Sequence, residues 1–413
     1  MEIIFIALYV ITNIFIGYRY YKQKNGVFTP PFILSVMSLG QLLPQLTTIY
    51  FHPYYDNSLI YRLVIVMTSC NIAFMYGFEK GKRGKIKYPV MDFRLGKMVP
   101  VIFFLAIMGL IGNRMFRDVN STDWVIADQF HNLGIIGLAF SLCYILKYKA
   151  SINLYILTAL CTWPIIDFAF NIKGSRNDTF ILIVMFLLFF TIKYPKYEKS
   201  IKRIFLIAFI SGCIGSMSIS AVRGGIHDTS DTSISEISYW DNFKNSFTNS
   251  YTEVGMDLGN AAILIQNCAE NDIYNWGTFL WDGFVFNYVP RRIVGEDVKN
   301  SLNFGLQNYD LIEKVCCGTT CTTGYYDAYS SFGLFGFIIF LLLGMLYGFF
   351  YKYSSVSSLY QILYIFLLNS SAIVATHGIQ LFAARVEFMY IVIIPILSFF
   401  IFRHHKYTNE SIS

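Results

Sequence analysis

Long apolar runs separated by short polar segments organise the chain. A helix needs about 20 mostly apolar residues to cross a bilayer. Candidate spans lie near 2–20, 29–50, 58–78, 97–113, 124–146, 151–172, 179–193, 204–221, 329–351, 357–376 and 383–402. The third opens with Arg62, placed to snorkel to the near interface. The sixth contains Pro164, where a kink is expected. The opening Met1-Glu2-Ile3-Ile4 lacks a basic region and a small-residue cleavage site, so the first run reads as a span, not a cleaved leader. The pattern predicts an all-α polytopic membrane protein with about eleven transmembrane helices. It divides into 1–221 (helices one to eight), a large loop over 222–328, and 329–413 (helices nine to eleven and a tail). The loop is expected to carry short helices. Tyr251–Gln266 places Val254, Leu258, Ala262 and Ile265 on one helical face, and Trp276–Tyr288 is aromatic enough to lie at an interface. A loop of this length is usually functional.

Composition agrees with the pattern. Of 413 residues, 55% are hydrophobic and only 14% charged. A soluble domain averages about 25% charged residues and could not cover its surface with so few. Soluble enzymes and nucleic-acid binders are therefore excluded. The net charge of +6 follows topology. About 20 of the 32 Lys and Arg fall in alternate connections: Arg19–Lys24, Lys80–Lys97, Lys147–Lys149, Lys193–Arg203, Lys352 and Arg403–Lys406. Those connections are expected to face the cytoplasm. The N-terminus and the large loop then face outward, away from the cytoplasm, and the C-terminus faces inward.

Cysteines divide the same way. Cys70, Cys143, Cys161 and Cys213 lie inside spans as small apolar fillers. Cys268, Cys316, Cys317 and Cys321 lie in the loop, in an oxidising compartment. A disulfide from Cys268 to Cys316 or Cys317 is favoured over a metal site, because the spacing is not a usual zinc pattern and no histidine lies close by.

No Gly-x4-Gly-Lys-Ser/Thr loop, His-Glu-x-x-His or cytoplasmic Asp-x-Asp is present, so chemistry is expected on the outer face. Arginines mark that face. Arg114 and Arg117 share a helix face after span four. Arg176 lies in Lys173-Gly-Ser-Arg176-Asn-Asp178, Arg223 just after span eight, Arg291 and Arg292 in Tyr288-Val-Pro290-Arg-Arg292, and Arg385 near the start of span eleven. A guanidinium binds phosphate bidentately and stays charged, so this set suits a pyrophosphate at the membrane surface. The plainer alternative is that each arginine snorkels or pairs with an acid such as Asp118, Asp178 or Glu387. For proton transfer, His377, Gln380, Ala384 and Glu387 would form one stripe if 377–387 is a single helix. Glu387 is then either a base or an arginine's partner. Glu253 and Asp257 are four apart and suit the solvated face of a surface helix. Asp167, deep in span six, suits a buried arginine. Gly344 and Gly348, at GxxxG spacing, favour close helix packing.

Gly174-Ser175-Arg176 opening an apolar span, Val289-Pro290-Arg291-Arg292 late in the large loop, and Gly324-Tyr-Tyr-Asp327-Ala-Tyr-Ser-Ser-Phe332-Gly333-Leu-Phe-Gly336 leading into a glycine-spaced span resemble the Wzy-type O-antigen polymerases. The run after Arg292 matches that family only loosely. The resemblance implies a glycosyltransferase that moves a growing glycan from undecaprenyl pyrophosphate to the terminal sugar of a new lipid-linked repeat unit. It would act on the periplasmic face, with no nucleotide, metal or other cofactor. A chain-length regulator is a partner that the family suggests. On this reading Arg176, Arg223, Arg291 and Arg385 hold the pyrophosphate. His377, Glu387 and Glu253 are the candidate bases. Tyr251, Trp281, Tyr288 and Tyr325 stack on sugars. The alternatives are an O-antigen ligase, which uses the same donor, and a lipid-linked oligosaccharide flippase. The charges at span ends and the single large loop argue against a flippase.

Overall fold

The structure, a computed structural model, describes residues 2–51, 57–86, 90–93, 98–118, 124–147, 151–169, 176–208, 257–289, 291–305, 322–368, 370–395 and 402–405. The chain opens with α1 (Glu2–Tyr21), α2 (Pro30–Met37), α3 (Leu43–Phe51) and α4 (Asn57–Lys82). It continues with α5 (Val99–Asp118), α6 (Trp124–Lys147), α7 (Ile152–Asp167) and α8 (Arg176–Lys193). Four short helices follow: α9 (Asp257–Asn271), α10 (Thr278–Tyr288), α11 (Arg291–Val294) and α12 (Glu296–Ser301). The last group is α13 (Gly324–Phe332), α14 (Phe337–Ser354), α15 (Ser358–Leu368), α16 (Ser370–Thr376) and α17 (Ile379–Phe388). Two four-residue strands, Val90–Phe93 and Phe402–His405, pair antiparallel, with Asp92 opposite Arg403.

The protein is a helical membrane protein. Among the described residues six helical segments are long and apolar enough to cross a bilayer: Glu2–Tyr21, Pro30–Phe51, Ser58–Lys82, Val99–Phe116, Ala127–Leu146 and Gly324–Ser354. Thr179–Lys193 and Pro195–Ala208 form a pair bent by 115° that counts as a seventh if it is one span. Pro195 begins the second arm, where its missing N–H costs nothing at a helix start. The expected spans over 151–172 and 357–376 contain the shorter apolar helices α7 and α15.

The helix α1 shows how pattern becomes packing. Tyr9, Asn13, Ile16 and Tyr20, spaced 4, 3 and 4, are buried against the bundle. Ile4, Leu8, Ile11 and Phe15, on the other side, are exposed. That much bare aliphatic surface suits lipid and not water. Buried polar atoms then tie the helices together. Asn71 Nδ2 donates to Asn13 Oδ1 at 2.9 Å and to Ser38 Oγ at 3.1 Å, and the Tyr325 hydroxyl donates to Asn71 Oδ1 at 2.8 Å. A π turn over Ser38–Leu42, between α2 and α3, presents Ser38 to this network.

The closest packing joins α4 to α14. A Cβ added at Gly77 or Gly81 would overlap the carbonyl oxygen of Leu341 or Met345, and one added at Gly344 or Gly348 would overlap that of Phe74 or Phe78. The GxxxG spacing expected on α14 thus meets a second one, Gly77-x3-Gly81, on α4. Gly344→Ile therefore breaks a backbone-to-backbone contact. It is expected to cost about 3 kcal/mol or more and to deplete the folded protein in membranes at 37 °C. Leu342→Ala, on the exposed side of the same helix, leaves its level unchanged by fluorescence-detected chromatography.

The basic connections converge at one end of the bundle. The Tyr20 hydroxyl donates to Glu79, Lys202 to the Gln23 carbonyl at 2.7 Å, and Lys352 to the Arg83 carbonyl. The Asn25 N–H donates to Glu198, which pairs with Lys202 at 2.7 Å. The strand pair brings 90–93 and 402–405 together as well. Segments far apart in sequence and alike in charge therefore share one end.

The α9 helix departs from its expected surface position. Residues 258–265 are all buried, and the Leu258 N–H is capped by Gln45 Oε1 from α3 at 3.0 Å. The apolar face is wider than the expected stripe: Ala261, Ile263 and Leu264 are buried too, so this helix belongs to the core. The expected disulfide is also corrected at one end. Cys268 is a buried free thiol, and burial pushes its pKa up to about 11. Cys316, Cys317 and Cys321 lie outside the described residues.

Candidate functional site

The α10 helix packs along α17. The α10 helix is an aromatic column. Trp281, Phe284 and Tyr288, spaced 3 and 4, follow one another: Trp281 and Phe284 are stacked with centroids 5.6 Å apart and planes inclined at 23°, and Phe284 and Tyr288 are tilted at 34° with centroids 5.4 Å apart. Gly283 lies between them, where an added Cβ would sit 4.0 Å from Gln380 Cβ on α17. The column ends at Tyr288, whose hydroxyl donates to the Ala384 carbonyl at 3.1 Å. The charge of Glu387 also acts on this hydroxyl. The stripe Gln380, Ala384, Glu387 is therefore the face that α17 turns toward α10, as its 4 and 3 spacing requires.

Burial, then the carboxylate of Glu387, then that of Asp128 at the start of α6, push the Tyr288 phenol well above its ordinary value, while Gln129 opposes them. Tyr288 is thus a neutral donor at neutral pH. Glu387 Oε2 and Gln129 Oε1 are buried and meet no hydrogen-bond partner among the described residues. Two acceptor atoms beside one phenol are suited to accept from a hydroxyl.

Arg385 lies one residue from the Tyr288 contact. Its guanidinium sits 5.6 Å from the Phe366 ring of α15 and near Tyr347 of α14, half-buried within the bundle. Among the described residues Glu387 forms no ion pair.

Other expected residues are dispersed. His377 leaves the stripe: α17 begins only at Ile379, after Gly378 at φ 102°, so His377 lies in the preceding turn. It is exposed, with Nδ1 2.8 Å from Thr376 Oγ1. Glycine at a positive φ breaks the helix that the stripe assumed. Tyr325 is corrected as a sugar-stacking residue. It is fully buried, its ring is parallel to Phe340 at 5.3 Å, and its hydroxyl is held by Asn71. Arg291 is exposed and pairs with Glu296. Trp281 is half-exposed and donates from Nε1 to the Leu302 carbonyl at 2.9 Å. Lys299 donates to the Phe286 carbonyl at 3.0 Å; partial burial, then Arg291, hold its pKa below the usual lysine value. Arg176 starts α8, but its side chain lies outside the described residues, as do Arg223, Tyr251 and Glu253 entirely.

Two further groups of buried polar residues join side chains that the sequence leaves unconnected, one around Asp167 and one at Asp327. Asn113 Nδ2 donates to the Pro164 carbonyl at 2.6 Å and to Asp167 Oδ2 at 3.2 Å. His131 Nδ1 lies 3.2 Å from Asn113 Oδ1, with its ring stacked on Phe168. Asp327 is the other: its Oδ2 accepts the Ile379 N–H at 2.6 Å. Polar side chains within apolar runs were the available signal.

The chain matches no model of a known protein family, no curated protein and no solved structure.

Proposed function

We propose that this protein polymerises lipid-linked oligosaccharides of the O-antigen type on the periplasmic face of a bacterial inner membrane. A growing glycan leaves undecaprenyl pyrophosphate and joins the terminal sugar of an incoming lipid-linked repeat unit. The observation that carries the reading is the aromatic column of α10 running to Tyr288, against a buried carboxylate on α17.

A sugar presents an apolar C–H face and a rim of hydroxyls. Trp281, Phe284 and Tyr288 offer flat apolar surface to the first. Glu387 and Gln129 offer acceptors to the second. In transfer, the acceptor hydroxyl attacks the anomeric carbon of the donor glycan. Its proton passes to Glu387, the C–O bond to the pyrophosphate breaks, and the lipid pyrophosphate leaves with the electron pair. A cation near the departing charge lowers the barrier, and Arg385, next to Ala384 on α17, is assigned that role. The remaining arginines of the expected set, including Arg176, Arg223 and Arg291, are placed in the same role by the resemblance. The lipid tails lie among the exposed aliphatic faces of the spans.

Deletion of the gene tests this. Lipopolysaccharide from the deletion strain is expected to carry single repeat units on the core and no ladder, with the ladder restored by the wild-type gene. A bare core would instead indicate a ligase or a flippase, and an unchanged ladder would remove the assignment.

A further inference from the structure

The two helices of the candidate site are both tethered by one short helix. Every residue of α13 from Gly324 to Ser331 is buried. Its Asp327, 1% exposed, reaches across to α17 and caps that helix with Oδ2 on the Ile379 N–H. The approach is close because residue 378 is glycine: a Cβ there would lie 2.9 Å from Asp327 Oδ2. One turn along, Ser330 and Ser331 hold Asn275. Asn275 Nδ2 donates to Ser330 Oγ at 2.9 Å, the Asn275 N–H donates to the Ser330 carbonyl at 2.7 Å, and Ser331 Oγ donates to Asn275 Oδ1 at 3.1 Å. Asn275 Oδ1 in turn accepts the Gly277 N–H at 3.1 Å, at the start of α10. The helix α13 is itself seated by glycines. A Cβ at Gly324 would overlap the Val374 carbonyl oxygen, and one at Gly336 would overlap that of Ala328.

We infer that α13 is the positioning element of the site: Asp327 fixes the N-terminus of α17, Asn275 fixes the N-terminus of α10, and together they set Tyr288 against Glu387. The consequence for glycan transfer rests on the proposed function, while the positioning itself does not. Both tethers act at helix starts, whose N–H groups have no partner within their own helix. The site residues lie near the other ends of these helices. A small change in either entry angle therefore displaces Tyr288 from α17. Asp327 and Asn275 touch no proposed substrate and are positioning residues only.

Cysteines at 283 and 380 report the geometry without reference to activity. The Cβ separation of 4.0 Å between these positions lies within the range that a disulfide spans. The Gly283→Cys, Gln380→Cys protein is oxidised in membranes with copper phenanthroline, and the linked peptide is followed by mass spectrometry. The parent pair is expected to cross-link readily. Asp327→Asn keeps an acceptor for Ile379 and stays near the parent rate. Asp327→Ala and Asn275→Ala cross-link at least about fivefold more slowly, the weight of a lost helix cap. Cross-linking of both alanine variants at the parent rate would overturn the inference, as would failure of the parent pair. Where Asp327→Ala does not accumulate, Asn275→Ala against Asp327→Asn decides it. In the transfer reaction, Asp327→Ala is expected to lower kcat far more than it raises KM, with activity regained in Asp327→Asn. Cross-linking of the double-cysteine proteins as described, with no glycan transfer by the wild-type protein, would refute the proposed function and leave the positioning role standing.

Discussion

Glu387→Gln is expected to lower glycan transfer by about a thousandfold, with KM little changed. The substitution keeps the volume and one acceptor oxygen. It removes only the capacity to take a proton. Glu387 is suited to that role because Oε2 is buried and meets no partner among the described residues. Its charge also acts on the protonated Tyr288, which holds the α17 backbone one turn away. A carboxylate placed only for packing would tolerate glutamine. Initial rates with purified protein, read as repeat units added per minute, give the answer. A rate within about threefold of wild type would show that the carboxylate is not the base.

Arg385→Ala is expected to reduce transfer by about a hundredfold or more, because a departing pyrophosphate needs a cation where its charge develops. Arg385→Lys restores part of the rate, since lysine supplies charge without the planar fork. Alanine also removes the contact with Phe366, worth about 1 kcal/mol. Some loss of folded protein is therefore expected, and rates are normalised to the amount of protein in the membrane. A role confined to packing would lower the amount of protein and leave the normalised rate intact.

Much of the scaffold was legible in the sequence because lipid imposes a simple code. The apolar length marked Glu2–Tyr21, Pro30–Phe51 and Ser58–Lys82. The basic connections foretold which segments share an end, as Lys202 with Gln23 and Lys352 with Arg83 show. GxxxG spacing on α14 foretold close packing, although the matching pair on α4 is what makes the contact. Stripe reasoning found Gln380, Ala384 and Glu387 on one face. It wrongly added His377, because Gly378 at positive φ ends the helix and periodicity alone does not register a break.

The site itself was only half legible. In the sequence Tyr288, Arg385 and Glu387 stand out singly, each by its own chemistry. Their proximity depends on α10 lying along α17, about a hundred residues on in the chain. Tyr325 shows the limit from the other side. An aromatic in a loop-like run suggests a sugar platform, yet here Phe340 covers the ring and Asn71 takes the hydroxyl. Asp327 is the opposite case: in the sequence it is only one letter of a motif. Its cap on Ile379 joins helices that no local pattern connects.

The most direct test is reconstitution of the purified protein with undecaprenyl-pyrophosphate-linked repeat units and no other enzyme. A ladder of lengthening glycans is expected, with one undecaprenyl pyrophosphate released for each repeat unit added, and with both products lost in Glu387→Gln. Intact single repeat units and no released undecaprenyl pyrophosphate, from protein that is folded and present, would contradict the account.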